Sequence, residues 1–153
     1  MGGNRFKVIP EAITTPTSLP VIEFIHLHSN SLTYVKSGTF HNLQSLKEVV
    51  LAYNKIIAVE NDTFHDNILE VYLNGNKYKF THEGPFFNKT KLVTLSLQDN
   101  EITEIPDIAF YNCKALDSLN LANNKLGRLM KTTFKDGRFS YRFTVTNNRI
   151  NYI

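Results

Sequence analysis

Between residues 116 and 134 the chain reads LDSLNLANNKLGRLMKTTF, with apolar side chains at Leu116, Leu119 and Leu121, an asparagine pair, then Leu126, Leu129 and Phe134. Spacings of three and then two match neither the 3.6-residue period of a helix nor the sustained alternation of a long strand. The same frame recurs as Ile22/Ile25/Leu27, Leu46/Val49/Leu51, Ile68/Val71/Leu73 and Leu92/Leu95/Leu97, each ahead of an asparagine. Those asparagines, with the pair already quoted, are Asn30, Asn54, Asn76, Asn100, Asn124 and Asn148, at steps of 24, 22, 24, 24 and 24 residues. Leu32, Ile56, Tyr78, Ile102, Leu126 and Ile150 stand two residues after them. Phe40, Phe64, Phe86, Phe110 and Phe134 stand ten residues after the first five. A fixed period of this size predicts an array of stacked coils rather than a conventional globule. One coil is short: FHNLQSLKEVVLAYN becomes FHDNILEVYLNGN, with two residues lost between Phe64 and Val71.

The frame has a physical reading. Each apolar pair spaced by two predicts a short strand whose alternate residues face opposite ways, so that Leu119 and Leu121 point in while Ser118, Asn120 and Ala122 point out. The chain must then turn while still inside the protein. Unpaired buried backbone groups there would cost about 1–3 kcal/mol each. An asparagine carboxamide both donates and accepts, so the repeated Asn is expected to staple the turn, bonding backbone and also the Asn of the next coil. Asn123, one residue earlier, is expected to face solvent. The repeated Phe is expected to fill the far side of the coil, each coil needing a neighbour to bury its faces.

This pattern resembles the leucine-rich repeat, LxxLxLxxNxLxxLpxxxFxxLxx, in its 24-residue extracellular animal form. Among such proteins it is similar to Toll-type ectodomains, invertebrate leucine-rich immune proteins and variable lymphocyte receptors. The stretch IPDIAFYNCKAL also resembles bacterial and protist surface repeats that carry AFxxCxxL, which usually lack the Asn ladder. The resemblance implies an α/β-class leucine-rich repeat solenoid, a curved horseshoe arc with a concave parallel β-sheet and a mostly irregular convex side. One domain over 1–153 is expected, with a partial repeat at 1–21 and repeats starting near 22, 46, 68, 92, 116 and 140. In the opening stretch NRFKVIPEAITT, Asn4 takes the Asn position, and Ile13 or Thr14 falls near the place of the missing Phe. Both ends read as mid-repeat without Cys-rich caps, as in a portion of a longer array or one capped in an unusual way. Ser140, Phe143 and Val145 take the apolar positions of the last strand, and Phe143, Val145, Ile150 and Ile153 lack a following coil. Self-association through that end, or disorder beyond Gly137, is the consequence.

Composition changes this picture little. A single cysteine, Cys113, excludes a disulfide framework and sits where an inward Leu is usual, as a buried inert thiol, with a reactive or intermolecular thiol as the alternative. No apolar run reaches the 18 residues of a membrane-spanning segment. The net charge of +3 comes from scattered basic residues, so nucleic acid is not an expected partner. Asn61-Asp62-Thr63 and Asn88-Lys89-Thr90 match the glycosylation acceptor and fall outside the strands, which points to an extracellular or secreted protein or the ectodomain of a membrane protein. No phosphate loop, nucleophile–base pair or metal-ligand spacing stands out; the nearest approach, His26 with His28 on one strand face, lacks a third ligand. No enzyme activity, cofactor or metal is therefore expected.

What remains is the outward face of the sheet. Its rows run Phe24, Glu48, Glu70, Thr94, Ser118, Arg142; then His26, Val50, Tyr72, Ser96, Asn120, Thr144; then His28, Ala52, Asn74, Gln98, Ala122, Thr146. The first half is aromatic and apolar, through Phe24, Val50, Tyr53 and Tyr72, and the second half small and polar. Tyr is enriched in binding hot spots. The expected partner site is therefore Phe24, His26, His28, Glu48, Val50, Tyr53, Glu70 and Tyr72. Recognition of a protein ligand or receptor partner, in innate immunity or cell-surface adhesion, is the function this implies. A surface scaffold without one dedicated ligand is the alternative, and a carbohydrate or lipid ligand on the same aromatic patch a third reading.

Overall fold

The computed structural model describes residues 1–14, 21–81, 84–134 and 142–151. Its strands are β1 (Phe24–His26), β2 (Tyr34–Val35), β3 (Glu48–Val50), β4 (Ala58–Val59), β5 (Glu70–Tyr72), β6 (Thr94–Ser96), β7 (Ser118–Asn120) and β8 (Arg142–Thr144). Six of them form one parallel sheet in the order β1-β3-β5-β6-β7-β8. The register is that of the repeat, Ile25 beside Val49, Val49 beside Val71, Val71 beside Leu95, Leu95 beside Leu119 and Leu119 beside Phe143. This is the leucine-rich repeat solenoid. The far side is mostly irregular, with 3-10 turns at Glu11–Ile13 and Lys131–Phe134 and a small parallel pair, β2 with β4, that the sequence pattern did not suggest. Ile13 is buried against the core at the place of the missing Phe.

The Asn ladder is built from backbone bonds. Asn100 Nδ2 donates to the carbonyls of Leu97 at 3.0 Å and Gln98 at 3.1 Å in its own coil and of Leu73 at 3.0 Å in the coil before. Its Oδ1 accepts the Tyr78 N–H at 2.9 Å. Asn54, Asn76, Asn124 and Asn148 repeat this pattern, and Asn30 accepts the Phe6 N–H. Asn4 bonds the Met1 and Gly2 carbonyls in the same way. The expected bond from one ladder Asn to the next is absent, because each carboxamide is consumed by the backbone of two coils. A side-chain ladder does exist one residue earlier, where Asn147 donates to Asn123 at 2.8 Å and Asn123 to Asp99 at 2.6 Å. Asn123 is exposed and bonded at once.

That earlier position is left-handed throughout: Ser29, Tyr53, Gly75, Asp99, Asn123 and Asn147 have φ of 56, 55, 70, 55, 55 and 54°. Only Gly, Asn and Asp adopt this region at low cost, and four of the six residues are of those types.

Behind the ladder the Phe spine stacks, with ring centroids 5.9 Å apart for Phe40–Phe64, 6.2 Å for Phe64–Phe86, 6.4 Å for Phe86–Phe110 and 5.9 Å for Phe110–Phe134. Phe80 enters edge-on against Phe86 and Phe110. In regular coils two consecutive three-residue turns lead from the Phe to the next strand, as Cys113 N–H to Phe110 and Leu116 N–H to Cys113. The short coil keeps one, Ile68 N–H to His65, so its two missing residues come out of the turn and leave the sheet register intact. The last coil is less covered: Phe143 is 39% exposed and Val145 and Ile150 are half-buried. Ser140, Tyr141, Ile153 and the segment expected to be disordered past Gly137 lie, up to residue 141 and again at 152–153, outside the described residues.

Asn100→Ala leaves the buried Tyr78 N–H without its acceptor, while the Leu73, Leu97 and Gln98 carbonyls keep Asn76, Asn124 and the Gly75 N–H, and is expected to cost about 1–3 kcal/mol in denaturant melts. Asp99→Ala is expected to cost about 1 kcal/mol, for a left-handed Ala. Equal effects would contradict the ladder register. Phe110→Ala, which empties a site between two stacked rings, is expected to cost about 3–5 kcal/mol, and a loss under about 0.5 kcal/mol would remove the spine as a structural element.

Candidate functional site

The short strands decide which side chains leave the core. In β1, β3, β5, β6 and β7 the central residue is buried and its two neighbours are not. Phe24, Glu48 and Glu70 are therefore aligned across β1, β3 and β5, and so are His26, Val50 and Tyr72. Phe24 is 58% exposed, while Val50, Tyr72, Glu48 and Glu70 are half-buried. The polar members are tied to one another. His26 Nε2 lies 2.6 Å from Glu48 Oε1, the Tyr72 hydroxyl donates to Glu70 at 2.5 Å, and Lys47 pairs with Glu23 at 2.6 Å. The Glu70 bond, burial and the two glutamate charges push the Tyr72 hydroxyl up to about 12, so it stays a donor throughout the ordinary pH range.

The third row contributes less than its alternation suggests. Ala52, Asn74 and Ala122 are buried, because their short side chains sit where the strand runs into the Asn turn and neighbouring coils cover them. His28 is half-buried, with Nδ1 3.3 Å from the Ser29 hydroxyl. Across β6 and β7 the surface is Thr94, Ser96, Ser118 and Asn120, with Asn120 hydrogen-bonded to Gln98.

Tyr53 is not on a strand. It lies in the left-handed turn after β3, at φ 55° and 60% exposed. Its ring rests on the next coil at Gly75, where an added Cβ would come within 2.6 Å of Tyr53 Cδ1. Bulky residues are rare in this region, and such outliers cluster at ligand clamps. The pairing of Tyr53 with Gly75 was not foreseen. Its available signal was that every other residue preceding a ladder Asn is small or polar.

Lys89 and Tyr78 bring polar atoms into the apolar interior. Lys89 occupies the place that Leu43 and Cys113 hold in their coils, and its Nζ reaches Asp66 at 2.8 Å in the short turn of the coil before. That bond holds the Asp66 carboxyl below its usual range. Tyr78 takes the place of an aliphatic residue, with a fully buried hydroxyl that has no hydrogen-bond partner among the described residues. Cys113 is fully buried, and its thiol donates to the Phe86 carbonyl at 3.0 Å. Burial pushes this thiol up to about 11. Asn61 and Asn88 of the two glycosylation motifs are exposed. Among the described residues no cluster of three or more His, Cys, Asp or Glu side chains is placed to hold a metal ion, and no helix is long and apolar enough to cross a membrane.

A parallel sheet of three-residue strands, a backbone-bonded Asn ladder and a stacked Phe spine define a leucine-rich repeat protein. The family described as BspA type Leucine rich repeat region matches residues 17–149 in six copies, and the chain belongs to the leucine-rich repeat family. It is 32% identical over 137 residues to Leucine-rich repeat-containing G-protein coupled receptor 4 of Xenopus tropicalis, covering 86% of this chain and 13% of that one. It is 30% identical over 115 residues to Leucine-rich repeat transmembrane protein FLRT2 of Mus musculus, covering 72% and 17%. The solved TLR13–ssRNA13 complex superposes with a TM-score of 0.75 at 26% identity, over 84% of this chain and 18% of that one. The chain thus spans less than a fifth of the length of each of these relatives.

The Cys113 environment sets a further expectation. A thiol at about 11 instead of 9 has about a hundredfold less thiolate near pH 8. Labelling by an aromatic disulfide reagent should therefore be at least about a hundredfold slower in native buffer than in denaturant. Equal rates would place Cys113 at the surface.

Proposed function

We propose that this chain is a non-catalytic protein-recognition module that binds a protein ligand or receptor partner through the first half of its sheet surface, in innate immunity or cell-surface adhesion. The observation that carries the reading is two aromatic side chains held more than half exposed, Phe24 in one row with Glu48 and Glu70, and Tyr53 in the turn after β3 with its ring over Gly75. Neither ring is needed by the core, and Tyr53 occupies a backbone region that favours Gly or Asn. Aromatics fixed on a rigid element bury large area at little entropic cost on binding. The receptor names among its relatives support the class.

Relatives named as a G-protein coupled receptor and a transmembrane protein support an extracellular position for this chain, and exposed Asn61 and Asn88 fit a secreted or ectodomain glycoprotein. The RNA of the TLR13 complex does not transfer readily. Glu48 and Glu70, side by side on adjacent strands, would repel a phosphate backbone from this patch. A scaffold without one ligand would leave the aromatic patch idle.

The test is capture from an array of purified cell-surface ectodomains by immobilised wild-type protein. The Phe24→Ala and Tyr53→Ala variants should each weaken the captured pair about 30-fold, the size of a hot-spot loss. Ser96→Ala and Ser118→Ala, in the polar half, should stay within about twofold, as neutral rim positions do. Binding that survives both aromatic changes would move the site elsewhere.

A further inference from the structure

A second exposed aromatic pair lies away from the sheet. Phe87 and Tyr111 each follow a residue of the Phe spine, and their rings stack at 5.5 Å with 17° between planes. They are 37% and 50% exposed. In the two preceding coils the same place holds His41 and His65. The column therefore changes from polar rings to apolar ones where the chain reaches Asn88-Lys89-Thr90.

The turn around Asn88 is firmly held. The Asn88 N–H donates to the Tyr111 carbonyl at 2.9 Å, and the Thr90 N–H to the Asn88 carbonyl at 3.1 Å. Lys89 is buried and paired with Asp66, which anchors the middle of the motif. Asn112 Nδ2 donates to Asn88 Oδ1, so the Asn88 carboxamide is oriented through its oxygen. Its nitrogen, the atom that accepts a sugar, makes no bond among the described residues. Asn112 occupies the matching place in the next coil but is followed by Cys113-Lys114, which is no acceptor motif.

We propose that Asn88 carries an N-linked glycan whose first N-acetylglucosamine lies on the Phe87–Tyr111 stack. The assignment rests on the extracellular reading above. The modification forms a bond from Asn88 Nδ2 to the anomeric carbon of a lipid-pyrophosphate oligosaccharide donor. The bond from that carbon to pyrophosphate breaks, the lipid pyrophosphate leaves and the amide loses one proton. The Asn88 oxygen keeps its bond to Asn112, which fixes the direction in which the sugar leaves the turn. A pyranose presents a face of weakly positive C–H groups, and an aromatic ring presents a negative face. Covering the two rings this way removes apolar surface from water without a protein partner.

The chain is produced in a eukaryotic secretory host, which exposes it to the donor wherever its own cell places it. Peptide mass analysis should find glycan on Asn88. The N-acetyl methyl proton signal of the first sugar should shift upfield in the ring currents of Phe87 and Tyr111, and lose that shift in a Phe87→Ala/Tyr111→Ala double variant. Thr90→Ala, which abolishes the acceptor and leaves the rings, should lower Tm by about 2–4 °C, the effect of roughly one aromatic contact in a chain of this size. Adding Thr90→Ala to the double variant should lower Tm by less than about 1 °C, since the contact is already gone. An empty Asn88 in protein whose Asn61 is filled would overturn the proposal. So would a glycan whose effect on Tm and whose methyl signal are the same with and without the rings. Failure of the extracellular reading shows separately, as cytosolic localisation of the tagged protein in its own cells.

Discussion

Every coil of this protein has to turn its backbone inside its own core. Side-chain burial alone is non-directional and cannot say how one coil sits on the next. The ladder asparagine supplies the missing direction, since one carboxamide ties three carbonyls and one N–H drawn from two successive coils. The N–H would cost about 1–3 kcal/mol if left unpaired in the interior, and each carbonyl is shared with a neighbouring ladder Asn or a backbone N–H, so the bonds run unbroken from coil to coil. The sheet register, the left-handed residue ahead of each Asn and the stacking of the Phe spine all follow from that fixed relation. The short coil shows the order of importance. Two residues are lost from a peripheral turn, while Asn54, Asn76 and Asn100 keep the same bonds.

The fold was legible because the ladder leaves a one-dimensional trace. An obligatory Asn at a fixed distance from three apolar positions repeats in sequence wherever it repeats in space, and so does the Phe. The strands between Phe24 and Asn120 stand where the alternation of Ile25 with Leu27, or Leu119 with Leu121, places them. Features that depend on two different coils left no such trace. Lys89 reads as a surface residue inside a glycosylation motif, yet it is buried because the coil before it is short and brings Asp66 within reach. Phe80 belongs to no repeat position, but wedges edge-on between spine rings. The Asn-to-Asn bond, assigned by chemistry to the ladder, belongs one residue earlier, because the ladder carboxamides have no capacity left.

For the candidate surface, row membership was readable and exposure was not. Strand alternation placed Phe24, Glu48 and Glu70 in one row and His26, Val50 and Tyr72 in the next. The third row, with Ala52 and Asn74, is covered where the strand enters the Asn turn. Tyr53 reached the candidate site by composition alone, and only its φ and the flat seat at Gly75 show how the ring is held.

The constraint that builds the coil also separates stability from recognition. Residues that bond or fill the interior repeat almost without change, since each must satisfy the same backbone groups in the same geometry. Side chains on the outer face of three-residue strands meet only the equivalent side chains one coil away. They can vary coil by coil without disturbing the ladder, which is how an aromatic, acidic half and a small, polar half share one sheet. Gly75 marks where the two demands meet. The ladder turn needs a left-handed residue there, and the missing side chain leaves room for the Tyr53 ring of the coil before. The Tyr53 ring is thus held in place by a residue chosen for backbone geometry, and under the proposed function this would lower the entropy that a partner must overcome on docking.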